Sequence, residues 1–409
     1  MRDHETTTET PMQPHSSLSG LRVIDASRVL GGPYCGQILA DHGADVIKLE
    51  PPAGDETRGW GPPFRDGAAS YFHGLNRNKR GISVDLSQEA GRELLLELLA
   101  DADVFIENFK TGTLERWGLG TDELQARFPR LIHARVSGFG ADGPMGGLPG
   151  YDAAIQAVCG IMSVNGEAGG TPLRAGLPVV DMVTGLNAAL GICMALHERN
   201  GSGKGQFVET TLYDCGVSLL HPHLPNYYMS GKVAQPTGNA HPNICPYDTY
   251  ATGSDPIFLA VGNNRQFVKL CQTVGAPEIA DDPRFASNAD RLAHAAALKK
   301  ALEKEMSAHD GETLAQTLIR AGVPCGAVRS IDQVVDDPHT RHREMVVDIG
   351  AYRGTGSPVK LSRTPVRYHS APPRFAQHTA EVLTERGIDP ERFRSVLPGL
   401  SDSRTTEEV

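Results

Sequence analysis

The chain has 409 residues, a formal net charge of −10 and a charged-residue content of 22%. A chain of this length exceeds what one hydrophobic core usually fills, so we expect two domains. The acidic balance argues against nucleic-acid binding, because phosphate backbones require a basic surface. It does not exclude a small anionic ligand, which needs only a local cluster of Lys and Arg side chains.

Apolar residues and cysteines are distributed as in a cytoplasmic protein without a membrane partner. The N-terminal residues are polar and lack the apolar run of a secretory signal. The longest apolar stretch, residues 185–196, is about twelve residues long, which is shorter than a bilayer-spanning helix requires. The seven cysteines form no CxxC pair, as expected of reduced thiols in a cytoplasm.

Strand and helix patterns alternate through the first third of the chain. The predicted strands lie at residues 21–25, 44–49, 103–106 and 131–136. The predicted helices lie at residues 33–41, which Gly43 would terminate, and at residues 89–100. Alternation at this pitch predicts an α/β fold with a parallel sheet of Rossmann type.

The rest of the chain has a different composition. Residues 151–163 and 182–199 are rich in Ala, Gly and Leu, and we predict a long buried helix over each. The segment after Pro225 is rich in Pro, Asn and Tyr, which is typical of a linker or an exposed loop. A smaller α+β unit is predicted beyond it, with a strand at residues 256–261 and helices at residues 265–274, 295–308 and 313–321.

Two motif matches fail in their sequence context. Residues 138–143 match GxGxxG, but the glycines and prolines that follow prevent the helix that should receive a pyrophosphate. We therefore expect a surface loop there. The His221-Pro222-His223 and His339-x-x-His342 pairs lack a third ligand, so no metal site is predicted.

Asp181 has two compatible interpretations. It lies between a turn-rich stretch and a predicted helix that begins near Met182, and Asp is among the best helix N-cap residues. A helix N-terminus also favours an ionised carboxylate, which is what covalent acyl transfer requires of a nucleophile. Spacing alone does not decide between a capping residue and a catalytic one.

Four basic residues form a second candidate site. Lys79 and Arg80 stand together, while Lys110 and Arg116 follow a predicted strand. Ligands of open parallel sheets bind beyond the carboxyl ends of the strands, where Lys110 falls. These cations are either a phosphate-binding cluster or ordinary solvated surface residues.

Several short motifs occur in a fixed order along the chain. They are residues 20–25 (GLRVID), 43–50 (GADVIKLE), 78–80 (NKR), 107–109 (ENF), 118–120 (GLG), the Asp181 segment and residues 321–326 (AGVPCG). In combination they resemble the family III coenzyme A transferases, a group that includes formyl-CoA transferase, carnitine-CoA transferase and the α-methylacyl-CoA racemases. The resemblance extends from about residue 18 to residue 397.

The resemblance implies a fold and an assembly. It implies a Rossmann-like large domain with a parallel sheet, a smaller α+β domain and an interlocked homodimer. The corresponding boundaries are a disordered tail at residues 1–18, the first part of the large domain at 19–205, a linker at 206–230, the small domain at 231–328, a return segment completing the large domain at 329–398, and a tail at 399–409.

The resemblance also implies roles for individual residues. Asp181 aligns with the catalytic aspartate, which carries coenzyme A as an aspartyl-CoA thioester. No tightly bound cofactor or metal is implied, since coenzyme A and acyl-CoA are substrates. Contacts to coenzyme A are expected at Arg28, Val29, Lys79, Arg80, Val84, Asn108, Phe109, Lys110, Arg116 and Tyr151. A loop over the active site is expected at Gly238, Asn239 and His241, with one glycine where formyl-CoA transferase has a run.

Two other activities stay open at this point. The racemases pair the aspartate with a histidine, and here Tyr151 stands in its place; an unperturbed tyrosine pKa of about 10 makes it a poor base at neutral pH. A non-catalytic coenzyme A-binding protein is the other alternative. The sequence does not name the acids, although Arg174, His241 and Arg265 could hold the second carboxylate of a dicarboxylate such as succinate.

Overall fold

The computed structural model describes residues 16–400, so most of both predicted tails lies outside the described residues. The strands in this range are β1 Arg22–Asp25, β2 Asp45–Glu50, β3 Phe64–Arg65, β4 Ala68–Ala69, β5 Lys79–Ser83, β6 Val104–Glu107, β7 Ile132–Ser137, β8 Phe207–Thr211, β9 Tyr247–Tyr250, β10 Ile257–Ala260, β11 Cys325–Ala327, β12 Val346–Ile349 and β13 Tyr352–Thr355.

Helices connect and cover these strands. The α-helices of the described residues are α1 Gly31–Asp41, α2 Ser70–His73, α3 Glu89–Leu99, α4 Thr113–Arg116, α5 Thr121–Arg127, α6 Asp152–Val158, α7 Ile161–Val164, α8 Val179–Ser202, α9 Leu212–Ser218, α10 His223–Ser230, α11 Asn264–Thr273, α12 Glu278–Asp281, α13 Asn288–Ala293, α14 Ala295–Met306, α15 Gly311–Arg320, α16 Ile331–Asp336, α17 Pro338–His342 and α18 Thr379–Glu385. Short 3₁₀ turns lie at Glu56–Gly59, Pro283–Phe285 and Pro390–Val396.

The main sheet has six strands in the order β5-β2-β1-β6-β7-β8, all parallel. This is the 3-2-1-4-5-6 order of the Rossmann fold, which confirms the predicted sheet. The central strands are almost wholly buried, as expected where helices cover both faces. From β1 the chain continues outward to β2 and β5, and it then crosses back to form β6 on the other side of β1. The direction in which strands are added therefore reverses between β1 and β6, and a crevice opens there.

Two predictions about the middle of the chain were wrong. Residues 206–230 are not a linker, because Phe207–Thr211 forms β8 and pairs with β7. This edge strand is half exposed and carries Glu209 and threonines, so its sequence lacks the apolar run that marks the inner strands. Residues 151–163 are two short helices, because Gly160 takes a left-handed φ of 98° that ends the first.

The described residues form two compact units. The first contains residues up to Gly160, Ala175–Leu220 and the residues from Arg341 onward, and the second contains Ile161–Arg174 and His221–Thr340. The return to the first unit therefore begins later than residue 329. The second unit has its own antiparallel sheet, β11-β10-β9, and its own apolar core, which includes Phe267, Leu298 and Leu318.

The C-terminal segment contributes directly to the core of the first unit. Val382, Leu383 and Phe393 are buried in one cluster with Leu94 and Leu98 of α3. These residues are far apart in the sequence but pack together, so the C-terminal segment is an integral part of the first unit.

The helix α8 positions the functional site. It has 24 residues. Among the described helices, it is the one whose length and composition would allow it to cross a membrane. The apolar stretch counted from sequence was shorter, because the helix begins at Val179 and extends to Ser202. In this fold α8 packs against α1, β7 and β8.

Candidate active site

Two hydrogen bonds from one side chain to the backbone connect the loops on either side of the crevice between β1 and β6. Asn108, just after β6, accepts from Arg28 N at 2.9 Å through Oδ1 and donates to Arg28 O at 2.7 Å through Nδ2. One side chain therefore fixes the loop that follows β1 to the loop that follows β6. Both loops lie at the carboxyl ends of the strands, where ligands of such sheets bind.

A buried ion network holds the loop after β1 from beneath. The carboxylate of Asp25 accepts from Ser27 N at 3.1 Å and from Lys79 Nζ at 2.8 Å. Lys48 Nζ donates to Ser27 O at 2.5 Å and to Asp55 at 2.8 Å. Both ion pairs are fully buried, so loss of one partner would leave an uncompensated charge and would cost about 3–5 kcal/mol.

Val29 has a strained backbone at this loop. Its φ is 71°, a left-handed value that a β-branched residue rarely adopts. Its N–H lies 3.4 Å from Asp55 Oδ1, and Asn108 fixes the preceding residue. Such strain persists only where the surroundings impose it, and it is concentrated at functional sites.

Asp181 is the third residue of α8 and does not cap it. The N-cap is Pro178, which offers no side-chain acceptor, so the N-cap interpretation of Asp181 is wrong. One turn further along α8, a Cβ added to Gly185 would lie 2.5 Å from Gly31 O, which shows how closely α8 crosses the start of α1. This crossing places the Asp181 carboxylate against Gly31: a Cβ there would be 3.8 Å from Oδ1.

The electrostatic environment makes Asp181 an unusual carboxylate. Its side chain is 8% exposed, and burial together with the negative charge of Asp152 raises its pKa to about 7. Among the described residues no hydrogen-bond donor reaches its carboxylate oxygens. A carboxylate with a raised pKa and no hydrogen-bond donor on its oxygens is a stronger nucleophile than an ordinary carboxylate in water.

A cavity of about 250 Å³ opens at Asp181 within the first unit. It brings together many of the residues predicted from the sequence: Arg28, Val29, Asn108, Phe109, Lys110, Tyr151 and Asp181. A second cleft of about 260 Å³ adjoins it, since both share Arg28 and Phe109. Val84 lines this second cleft together with Trp117 and is buried.

Three predicted coenzyme A contacts line neither cavity, and two of them, Lys79 and Arg80, are used within the fold. Lys79 is buried, and besides Asp25 its ammonium donates to Pro33 O at 2.7 Å and Asn76 Oδ1 at 2.9 Å, which uses all three hydrogens. Arg80 lies near the amino end of β5 and pairs with Asp45, Glu381 and Glu385. Both cations are used within the fold, so we do not retain them in the site.

Other predicted residues stand apart from the cavity lining. Arg116 is in α4, where its guanidinium donates to Thr113 Oγ1 at 2.9 Å, and it lines neither cavity. Arg174 and Arg265 belong to the second unit. A role for either in binding a second carboxylate stays a prediction.

The predicted active-site loop also belongs to the second unit. Gly238 takes a left-handed φ of 65°, and Asn239 Nδ2 donates to Thr249 Oγ1 at 2.8 Å. The ring of His241 packs on Tyr247 with centroids 5.0 Å apart. These contacts define the loop within its own unit, and its closure over Asp181 stays a prediction.

Asp152 is the main residue of the site that the sequence reasoning missed. Its carboxylate lies beside Asp181 and contacts the start of α8. Its position directly after Tyr151 and at the start of a helix was visible in the sequence. No local pattern showed that its partner lies 29 residues further along the chain.

Comparison with known proteins decides the family. The sequence model of CoA-transferase family III matches residues 18–379. The chain belongs to CoA-transferase family III. It is 41% identical to a succinate–glutarate CoA-transferase from Agrobacterium fabrum over 380 residues, which cover 90% of this chain and 95% of that protein. It is 39% identical to an acetyl-CoA:oxalate CoA-transferase from Acetobacter aceti, over 87% of this chain and 92% of that one.

A solved structure agrees with this assignment. The crystal structure of a CaiB/BaiF family protein from Brucella suis covers 91% of this chain and 100% of its own, with a TM-score of 0.82 and 41% identity. The family III chain is therefore an enzyme that acts on CoA thioesters. No group of three or more metal-binding side chains occurs in the part of the chain that the structure describes.

Proposed function

We propose that this enzyme transfers coenzyme A from an acyl-CoA donor to a carboxylic acid through an aspartyl-CoA thioester on Asp181. The observation that carries the proposal is the position of Asp181. A basic carboxylate, 8% exposed and without a hydrogen-bond donor among the described residues, lies on the cavity lined by Arg28, Asn108 and Lys110. The site thus combines a nucleophile with cations that suit the phosphates of coenzyme A.

The proposed reaction is two exchanges of the same kind. The Asp181 carboxylate attacks the thioester carbonyl of the donor, which gives a mixed anhydride and releases the coenzyme A thiolate. The thiolate then attacks the Asp181 carbonyl, so the donor acid leaves and an aspartyl-CoA thioester forms. The acceptor carboxylate attacks that thioester, and the released thiolate attacks the acceptor carbonyl of the new anhydride to regenerate Asp181. Every bond that breaks is matched by one that forms, and no net proton is transferred.

Retention of coenzyme A throughout is what makes these steps feasible. Lys110 and Arg28 lie beyond the strand ends, and Val84 and Trp117 provide apolar surface in the adjoining cleft. We propose that the cations bind phosphate groups and that this cleft receives the adenine. A thiolate held by its distant end reacts as in an intramolecular reaction, for which effective molarities of about 10⁵–10⁸ M are possible.

We propose that one substrate is a short dicarboxylic acid. The relatives named above act, by their names, on succinate and glutarate or on oxalate. The test is a panel of acyl-CoA donors and mono- and dicarboxylate acceptors, with products identified by mass spectrometry. Exchange that is confined to long monocarboxylates would contradict this proposal.

We propose that the enzyme is a homodimer. Leu186, Leu190 and Met194 form one outward stripe of α8, and each side chain is 50–60% exposed. A surface of this kind on a core helix is typical of an interface, and a second copy of the chain is the simplest occupant. Sedimentation equilibrium should give a dimer that Leu190→Glu weakens; an active wild-type monomer would contradict the proposal.

The racemase alternative makes a different experimental prediction. A racemase exchanges the α-proton of its acyl-CoA with solvent and requires no second acid. The transferase requires an acceptor acid and leaves the α-carbon untouched. We expect acid-dependent exchange in the wild type, no deuterium incorporation in D₂O, and no exchange by Asp181→Asn, because a neutral amide is a far weaker nucleophile. A folded Asp181→Asn variant with near wild-type exchange would contradict the mechanism.

A further inference from the structure

The helix that carries Asp181 is capped by a carboxylate from another helix. Asp152 is the first residue of α6, and one of its oxygens, Oδ2, accepts from Val180 N at 2.9 Å and from Asp181 N at 3.1 Å. Its other oxygen, Oδ1, accepts from Gln156 Nε2 at 2.5 Å. Pro178 occupies the N-cap position without an acceptor, so Asp152 supplies the missing cap from outside α8.

This cap acts on Asp181 in two ways. The bond to Asp181 N fixes the backbone of that residue directly, and the bond to Val180 N fixes the peptide before it. At the same time, Asp152 takes the two helix amides that would otherwise stabilise a negative charge on the Asp181 side chain. Asp152 is itself 8% exposed, so solvent does little to screen its charge from Asp181.

We propose that Asp152 is a positioning residue that orients the Asp181 nucleophile and, through its negative charge, keeps the Asp181 carboxylate basic. The proposal rests on the proposed function, in which Asp181 attacks the thioester. A carboxylate at the amino end of a helix is normally stabilised in its ionised form, which weakens it as a nucleophile. Asp152 opposes that effect, and burial together with the negative charge of Asp152 raises the pKa of Asp181.

The other groups around Asp181 do not replace Asp152 in this role. The cavity also contains Arg28 and Lys110, whose positive charges act in the opposite direction. The negative charge of Glu56 is offset by Arg28, whose Nη1 lies 3.8 Å from Glu56 Oε1, and Tyr151 is a neutral phenol. Tyr71 also interacts with Asp181, and burial and the nearby carboxylates raise its pKa to about 12, so it is uncharged at neutral pH. The α1 and β7 residues nearest to the site, Gly31 and Val136, carry no charge.

The test compares the pH dependence of kcat for Asp152→Asn and the wild type. The Asn carbonyl can still accept from both helix amides, but the charge and the acceptor for Gln156 Nε2 are lost. We expect the acid limb of kcat to move to lower pH by about one unit, as for removal of a nearby like charge, with kcat at the optimum reduced several-fold and KM for acyl-CoA little changed. Asp122→Asn, an exposed residue of α5, is the matched control and should leave the limb unchanged.

Two further variants keep the proposal falsifiable. Asp152→Glu retains the charge but displaces the cap, so kcat should fall while the acid limb stays near the wild-type pH. Asp152→Ser also retains a hydrogen-bond acceptor without the charge, so it should likewise move the limb to lower pH, and it provides the test if Asp152→Asn does not fold. An acid limb that neither neutral variant of Asp152 moves would show that Asp152 is a helix cap alone and would overturn the proposal. Failure of the proposed function is recognised separately, because Asp181→Asn would then retain exchange.

Discussion

Replacement of Asp181 by Asn should stabilise the protein at the pH at which it abolishes exchange. The wild-type carboxyl has a pKa raised from 3.8 to about 7 by burial and by Asp152. At about 1.4 kcal/mol per pKa unit, an increase of this size makes the ionised form unfavourable in the folded protein by on the order of 4 kcal/mol. A neutral Asn avoids this destabilisation, but its amide needs hydrogen-bond partners of its own. The gain in unfolding free energy should therefore be at most about 4 kcal/mol.

The pH dependence follows from the sign of the pKa change. Below pH 3.8 the carboxyl is protonated in both states, so it makes no difference to stability. Between that pH and about 7 the unfolded chain loses the proton while the folded protein keeps it, so wild-type stability falls as pH rises. The advantage of Asp181→Asn should therefore be small near pH 4, increase through pH 7 and then remain constant.

Thermal unfolding of the substrate-free proteins at several pH values measures this difference. At pH 8 we expect Asp181→Asn to melt several degrees above the wild type. The exposed control Asp122→Asn should show no such trend with pH. A difference independent of pH, or a wild type that is the more stable protein at pH 8, would refute the assigned environment of Asp181.

Four further substitutions test the binding site and the helix crossing. In steady-state kinetics, Lys110→Ala should raise KM for acyl-CoA by about 10- to 100-fold, as expected for the loss of a charged hydrogen bond. Arg116→Ala should raise KM less, because Arg116 lines neither cavity. Equal effects of the two substitutions would contradict the assignment. Asn108→Ala should weaken coenzyme A binding in calorimetry by releasing the loop at Arg28, and unchanged affinity would contradict that role. Gly185→Ala should lower unfolding free energy by about 1–3 kcal/mol in denaturant titrations, because its Cβ would meet a backbone carbonyl of α1 at 2.5 Å; a neutral result would contradict the close crossing.

The sheet could be predicted from the sequence because its inner strands are buried on both faces. Each of β1, β2, β6 and β7 contains two or three apolar residues, most of them β-branched, next to a helical pattern, which sequence patterning detects. The edge strand β8 was missed, since it is half exposed and gains its structure by pairing with β7. Sequence patterning reports burial, and β8 has little of it.

The site could be predicted only in part, for a related reason. Among the lining residues, Lys110 follows a predicted strand, so the strand assignment already located it, whereas Arg28 and Asn108 were expected only from the family resemblance. Lys79 carries the same charge, but its partners Asp25 and Asn76 are contributed by the fold and could not be identified from the residue type. A cation in a sequence does not show whether its charge is already neutralised.

The most direct test of the account is to trap the covalent enzyme. The wild type is incubated with acyl-CoA without an acceptor acid, treated with borohydride or hydroxylamine, digested and analysed by mass spectrometry. We expect modification to be confined to the peptide containing Asp181, to depend on acyl-CoA, and to be absent from Asp181→Asn. Modification of another carboxylate, or turnover by a wild type in which Asp181 is never modified, would contradict the central claim.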